Sequence, residues 1–291
     1  MTGRKDDTLL KAATGFEGGL VANGSTCGVV TGGALGLALL HEKDLARGGH
    51  AAEIAVIARI REYIEWFEKE FATTQCSERM GVDFYRPGGQ IRYLLPGDKV
   101  GRCFLQIRRA AGKLDSLSRR ALPDEEKFPD IETDGIPHCA TPVLEGIGRK
   151  TGVSDPLLER LSFIFDGGVA LTGGICGALA GSIMAINLIL GMNTRRMNYT
   201  DIIRDFLIGH INLLLETPRS MPEPFGVGRD IVRGFREKAG SINCLDITKR
   251  RFENGKDFIE YRNSSDRCRE LIEFSIEGTS KVIEGLIGRT A

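Results

Sequence analysis

The chain lacks net charge: its 291 residues hold 39 Lys+Arg against 39 Asp+Glu. No basic excess marks nucleic acid or an anionic membrane surface as a partner. The first twenty residues contain Arg4, Lys5, Asp6 and Asp7 but no apolar h-region of a secretory signal. A cytoplasmic location is therefore expected. No GxxxxGK[ST] occurs and no GxGxxG follows a strand, which argues against a phosphate cradle. CxxC and HxxxH spacings are missing too, which disfavours zinc, and the absence of CxxCH excludes c-type haem attachment. His41, His50, His138 and His210 share no repeating position and read as surface or core residues. No alternating strand pattern of any length is found, so the expected fold class is all-α.

Glycine and cysteine are what the chain does have, 37 and 7 of them. They come in a repeated frame. FEGGLVANGSTCGVVTG at Phe16 to Gly32 returns, 149 residues later and without a gap, as FDGGVALTGGICGALAG at Phe165 to Gly181. In both, a Phe stands eleven residues before the Cys and an acid and two glycines follow the Phe. Farther on, Phe67 and Cys76 match Phe235 and Cys244, and Arg102-Cys103 matches Arg267-Cys268. This is an internal duplication. It divides the chain into residues 1–120, a Pro-rich acidic linker at 121–137, and residues 138–291, two helical-bundle domains expected to be related by a pseudo-twofold.

Each copy reads as a loop, a Cys-initiated helix, an amphipathic helix, a further Cys, a loop and a second Cys-initiated helix. Ile54, Ile57, Ile60, Ile64, Phe67 and Phe71 recur at three and four, predicting a helix over 51–71. Asp155 before Pro156 is a capping acid with an N1 proline. Residues 41–49 read as a connection, 81–99 as a long loop with a short strand at Ile91 to Leu95, and 217–228 as a Pro/Gly loop. Gly18–Leu40 and Gly167–Thr194 carry no charge and have the length of transmembrane candidates, with small-xxx-small pairs Gly28/Gly32 and Gly177/Gly181. The first half of each is too glycine-rich for a continuous helix, leaving about 15 helical residues, nearer a buried core helix than a span.

Every cysteine occupies a repeat position: Cys27, Cys76 and Cys103 in the first copy, and Cys139, Cys176, Cys244 and Cys268 in the second. The counterpart of Cys139 would fall upstream of Met1. A thiol in the first turn of a helix faces the positive end of the macrodipole and free N–H groups, which favour the thiolate that reacts and binds metals. Cys27, Cys103, Cys176 and Cys268 are predicted there. Gly24 and Gly173 would bend the loop back over the Cys. Gly28, Gly32, Gly177 and Gly181 would let another backbone, or a cluster, approach closely.

The order Cys139, then C-G-A-x-x-G at Cys176 to Gly181, then Cys244 and Cys268 resembles the redox-active protein family named for its C_GCAxxG_C_C signature. H-C-A-T-P-V-L at His138 to Leu144 and G-S-I-N-C at Gly240 to Cys244 are similar to that family's opening and third-cysteine segments. The resemblance is good over about residues 138–280 and looser over 12–115, where C-G-V-V-T-G replaces CGAxxG. It implies a small helical domain whose four cysteines do redox or iron–sulfur chemistry, here in tandem. The leading expectation is an electron-transfer protein in which Cys139, Cys176, Cys244 and Cys268 ligate a [2Fe–2S] or [4Fe–4S] cluster beside Gly173, Gly177 and Gly181. Cys27, Cys76 and Cys103 form a candidate second site, expected to be the less active. The alternatives are a thiol–disulfide enzyme with Cys176 as nucleophile and Cys244 or Cys268 resolving, a membrane-associated subunit, and a structural domain with core cysteines. A redox protein or a small electron donor or acceptor is the expected partner, and a homodimer is allowed.

Overall fold

The computed structural model describes residues 6–84, 86–123, 137–212 and 224–288. Among the described residues fourteen α-helices follow one another: α1 (Asp7–Ala13), α2 (Gly28–Leu40), α3 (Glu42–Phe71), α4 (Cys76–Met80), α5 (Pro87–Leu94), α6 (Asp98–Ser118), α7 (Thr141–Thr151), α8 (Pro156–Leu161), α9 (Gly177–Leu190), α10 (Tyr199–Asn212), α11 (Pro224–Ala239), α12 (Cys244–Thr248), α13 (Gly255–Ser264) and α14 (Asp266–Ile287). Two isolated bridges, Thr26 to Gln75 and Ile175 to Asn243, are the only extended pairings among the described residues. The fold is all-α.

The uniformly apolar α2 and α9 are the buried centres, as a helix with no polar face must be. Around α2 pack α3 and α6; around α9 pack α11 and α14. In the second copy α7 adds a fourth helix against α9 and α14. The copies interlock: α1 lies on α9, and α8 lies on α2. Three contacts join a residue to its own repeat counterpart. Phe16 stacks on Phe165 with ring centroids 5.0 Å apart. The Ile175 N–H donates to Thr26 Oγ1 at 3.0 Å, and Asn243 Nδ2 donates to Gln75 Oε1 at 3.4 Å.

The glycine-rich stretches form an unusual element. Five consecutive residues, Gly18 to Ala22 and again Gly167 to Leu171, have positive φ, a left-handed turn. Such a turn costs L-residues roughly 1–2 kcal/mol each. Both turns are deeply buried, and Leu20, Val21, Val169 and Ala170 sit in the core. Each turn delivers its chain to the short bridge from which the cysteine-bearing helix departs.

Several sequence-based expectations are corrected. No strand forms at Ile91 to Leu95, because Pro87 starts α5 at its first position and the helix runs to Leu94. Residues 42–48 are helical, with a break at Gly49 (φ 52°, ψ −135°) rather than a loop. Helix α6 begins at Asp98, so Cys103 is not in its first turn. Cys76 and Cys244 do not trail a helix but open the short helices α4 and α12. Part of the expected Pro/Gly loop is helical, since α11 begins at Pro224. Its remainder, and most of the linker, lie outside the described residues. Helix α9 has 14 residues, and no helix among the described residues is long and apolar enough to cross a membrane.

Candidate functional site

The second copy brings its four cysteines to one place. Cys139, Cys176, Cys244 and Cys268 line a single cavity of about 20 Å³, closed by Phe252, Phe258 and Tyr261. That is the space of about one water molecule. Each cysteine reaches it by its own device. Cys176 is the N-cap of α9, and its N–H donates to Ile242 O at 2.9 Å. The Cys244 N–H donates to Gly174 O at 2.6 Å across the same bridge. Cys268 lies in the first turn of α14, its N–H capped by Ser265 Oγ at 3.2 Å. Cys139 is held by Asp166, the acid of the repeated motif. One Asp166 oxygen accepts the Cys139 N–H at 2.8 Å and the other lies 2.7 Å from His138 Nδ1. Burial disfavours a charged His138, but attraction and hydrogen bonding to Asp166 outweigh it and raise its pKa.

The glycines serve the approach of backbone. A Cβ on Gly177 would lie 2.6 Å from Cys139 Cβ and 2.9 Å from Phe165 O, and one on Gly181 would press on Ala140 O at 3.0 Å. The segment carrying Cys139 therefore seats itself directly on α9. Gly173 makes the same accommodation for α12, with φ 82° and Leu245 Cβ 2.7 Å from where its own Cβ would be.

The expected acidity of Cys176 is not found. Burial pushes its thiol up to about 11, although the N–H groups of Ala178 and Leu179 pull the other way. Burial likewise raises Cys139 and Cys244 well above the ordinary thiol range. The dipole of a helix N-terminus does not overcome desolvation on this scale. Close by, Arg262 of α13 is buried and lowers both Cys139 and Cys176; its Nε has no hydrogen-bond partner. Among the described residues, no three His, Cys, Asp or Glu side chains are gathered tightly enough to hold a metal ion as they stand.

The first copy is built differently. Cys27 caps α2 and Cys76 opens α4 across the matching bridge. The Cys76 thiol hydrogen-bonds to Cys27; burial opposes, but Arg79 and the Val29 N–H add to the pull, and Cys27 is lowered to about 6. Its partner Cys76 is raised correspondingly by that bond and by burial. Cys103 is half-buried and raised by burial, with Tyr93 as a hydrogen-bond partner. Arg79 stands where the second copy has Ile247. It is 9% exposed, its guanidinium lies 4.5 Å and 5.2 Å from the Phe67 and Phe71 ring centroids, and its three nitrogens are buried with only the Cys27 sulfur to turn to.

Sequence reasoning overlooked Arg79, Arg262, Asp166 and His138. Only Asp166 had a visible signal, as the acid of the duplicated frame beside Glu17. The two arginines occupy unrelated sequence positions and meet their cysteines only through folding.

The profile of the family "Putative redox-active protein (C_GCAxxG_C_C)" matches residues 1–117 and again residues 137–282. Neither curated proteins nor solved structures returned a match. The chain belongs to this family, carries its domain twice, and its family description supports a redox role.

Proposed function

For a chain that belongs to a redox-active family, we propose electron transfer through an iron–sulfur cluster held by Cys139, Cys176, Cys244 and Cys268. The observation that carries this reading is the convergence of four cysteines from four separate segments on one cavity. When bound, such a cluster supplies a one-electron couple held by four thiolates. The cavity of about 20 Å³ would have to widen around a cluster, but the buried surroundings suit it in two respects. The orphaned Nε of Arg262 offers positive charge to an anionic occupant. The raised pKa values of Cys139, Cys176 and Cys244 leave those three thiols protonated and poor nucleophiles at neutral pH, whereas metal ligation displaces such protons. The N–H groups of Ala178 and Leu179, directed at the Cys176 sulfur, would tune the potential. Anaerobic purification with iron and acid-labile sulfide analysis tests the proposal. Both should be present in the native protein and fall to background in Cys244→Ser; their absence under anaerobic conditions overturns it.

A second reading concerns the first copy. Thiol–disulfide exchange is better supported at Cys27 than at Cys176, because Cys27 has both a thiol donor and a buried cation beside it. In that reading the Cys27 thiolate attacks a small disulfide and releases one thiolate. Cys76 then gives up its proton, displaces the second thiol and closes a Cys27–Cys76 disulfide, so two electrons pass to the small disulfide.

A further inference from the structure

A groove of about 490 Å³ runs between α11 and α14, away from the cysteines. Its walls are apolar, with Ile231, Phe235, Phe274 and Val282 among them. Volume and lining are those of a small-molecule pocket. Two further observations distinguish it from a packing fault.

The first is the glycines on both walls. Gly234 of α11 and Gly278 and Gly285 of α14 line the groove, and a Cβ on any of them would meet nothing within 4 Å. A glycine inside a helix is unfavourable relative to alanine, and here no neighbouring atom demands it. The duplication supplies an internal comparison. At the offsets that align the repeats, 168 residues for α3 with α11 and 165 for α6 with α14, Gly234 corresponds to Trp66 and Gly278 to Lys113. In the first copy Trp66 packs on the core and stacks on Tyr63, with ring centroids 6.1 Å apart. The second copy has bare backbone where the first has large side chains.

The second observation lies at the floor. Ser275 and Thr279 are 4% and 1% exposed, line the groove one helical turn apart, and their hydroxyl oxygens have no hydrogen-bond partner. Their counterparts in the first copy are Ala110 and Leu114, which need none. A buried hydroxyl without an acceptor is costly. Both oxygens are shut off from solvent, so a turn of the side chains toward the groove would let an occupant's carbonyl oxygen satisfy them, whereas a docked helix has its carbonyls engaged in its own ladder.

We propose that the α11–α14 groove binds a small, flat, apolar carbonyl compound of the quinone class, with its oxygen accepting from Ser275 and Thr279. Ser275 lies seven residues after Cys268 on the same helix, about 10 Å along the axis, so an occupant would lie about two helical turns from the four-cysteine site. The binding itself does not depend on what those cysteines hold.

Equilibrium dialysis of the full chain against duroquinone tests this, because its four methyl groups block addition of thiols to the ring. Durene, the same body without carbonyls, is the control. Saturable duroquinone binding is expected, weakened about ten-fold by the double change Ser275→Ala and Thr279→Val, with durene binding unaffected. Gly234→Trp, which borrows the residue of the first copy, should abolish binding of both while thermal unfolding shows the fold intact. Absence of saturable duroquinone binding, equal losses for both probes in the double variant, or unchanged binding in Gly234→Trp each overturns the proposal. So does a wild-type dimer that Gly234→Trp converts to monomer with neither probe bound, since the groove would then be an interface between copies.

Discussion

Arg79 is the residue whose situation most needs explaining. A guanidinium cannot lose its proton at accessible pH, and burying one without a hydrogen-bonded partner is expensive. The Cys27 thiolate is the nearby charge that offsets it, which couples the two groups. Replacing Arg79 with Met should raise the Cys27 pKa from about 6 toward the ordinary thiol value. The thiolate absorbance near 240 nm, followed through a pH titration, should then show its most acidic step at higher pH, short of the ordinary value because the Cys76 hydrogen bond, the larger cause, remains; an unchanged step would show that Arg79 plays no part. Stability is linked to the same group. A thiol whose folded pKa is depressed contributes stability that is complete above its unfolded value and is lost as pH falls through the folded one. The first copy should therefore weaken as pH drops from the ordinary thiol range toward 6; the raised pKa of Cys76 acts at the alkaline end instead, where its contribution is lost as pH rises. Cys27 was legible in the sequence as a helix-initiating thiol, but the identity of the more acidic copy was not. The helix position is shared by Cys27 and Cys176 and each has a buried arginine nearby; what separates them first is the Cys76 thiol that hydrogen-bonds to Cys27, for which Cys176 has no equivalent.

Among the elements, α7 makes the difference between the copies. It covers Gly181 of α9, whereas Gly32, the counterpart on α2, is exposed, and a methyl added there would meet nothing within 4 Å. Ile272 on α14 is 7% exposed and its counterpart Ile107 on α6 is 46% exposed for the same reason. Two substitutions of one kind should then have opposite outcomes. Gly32→Ala is expected to stabilise by up to about 1 kcal/mol, through helix propensity alone. Gly181→Ala should cost about 1–3 kcal/mol, because its methyl presses on Ala140 O and Val143. Urea unfolding of the two variants measures the contrast; equal effects would mean that α7 does not seat where it is described. The sequence indicated the glycines as places of close approach but left open whether backbone or a cluster approaches. Sequence spacing cannot specify the neighbour, and the structure answers with the backbone of the Cys139 segment.

At the scale of the molecule, one continuous apolar core runs through both copies, and Phe16 and Phe165 stack at its middle. Either Phe→Ala change should cost about 3–5 kcal/mol, and the pair should couple by about 0.5–1.5 kcal/mol in a double-mutant cycle. Unfolding should remain a single transition in every variant. Two separated transitions, one per repeat, would show that the interlocked helices α1 and α8 do not tie the copies together.

The sequence by itself determined the duplication, the all-α class, the two core helices and the assignment of each cysteine to a repeat position. Those are properties of periodicity and composition, which local backbone preference and the need to bury apolar faces translate directly into structure. Tertiary structure alone decided which charges meet which thiols, and it set Cys27 and Cys176 apart in acidity where the sequence treated them alike. Arg79 and Arg262 come from different places in their repeats, and desolvation depends on how completely the surrounding helices exclude water. Neither is written in the spacing of residues along a chain.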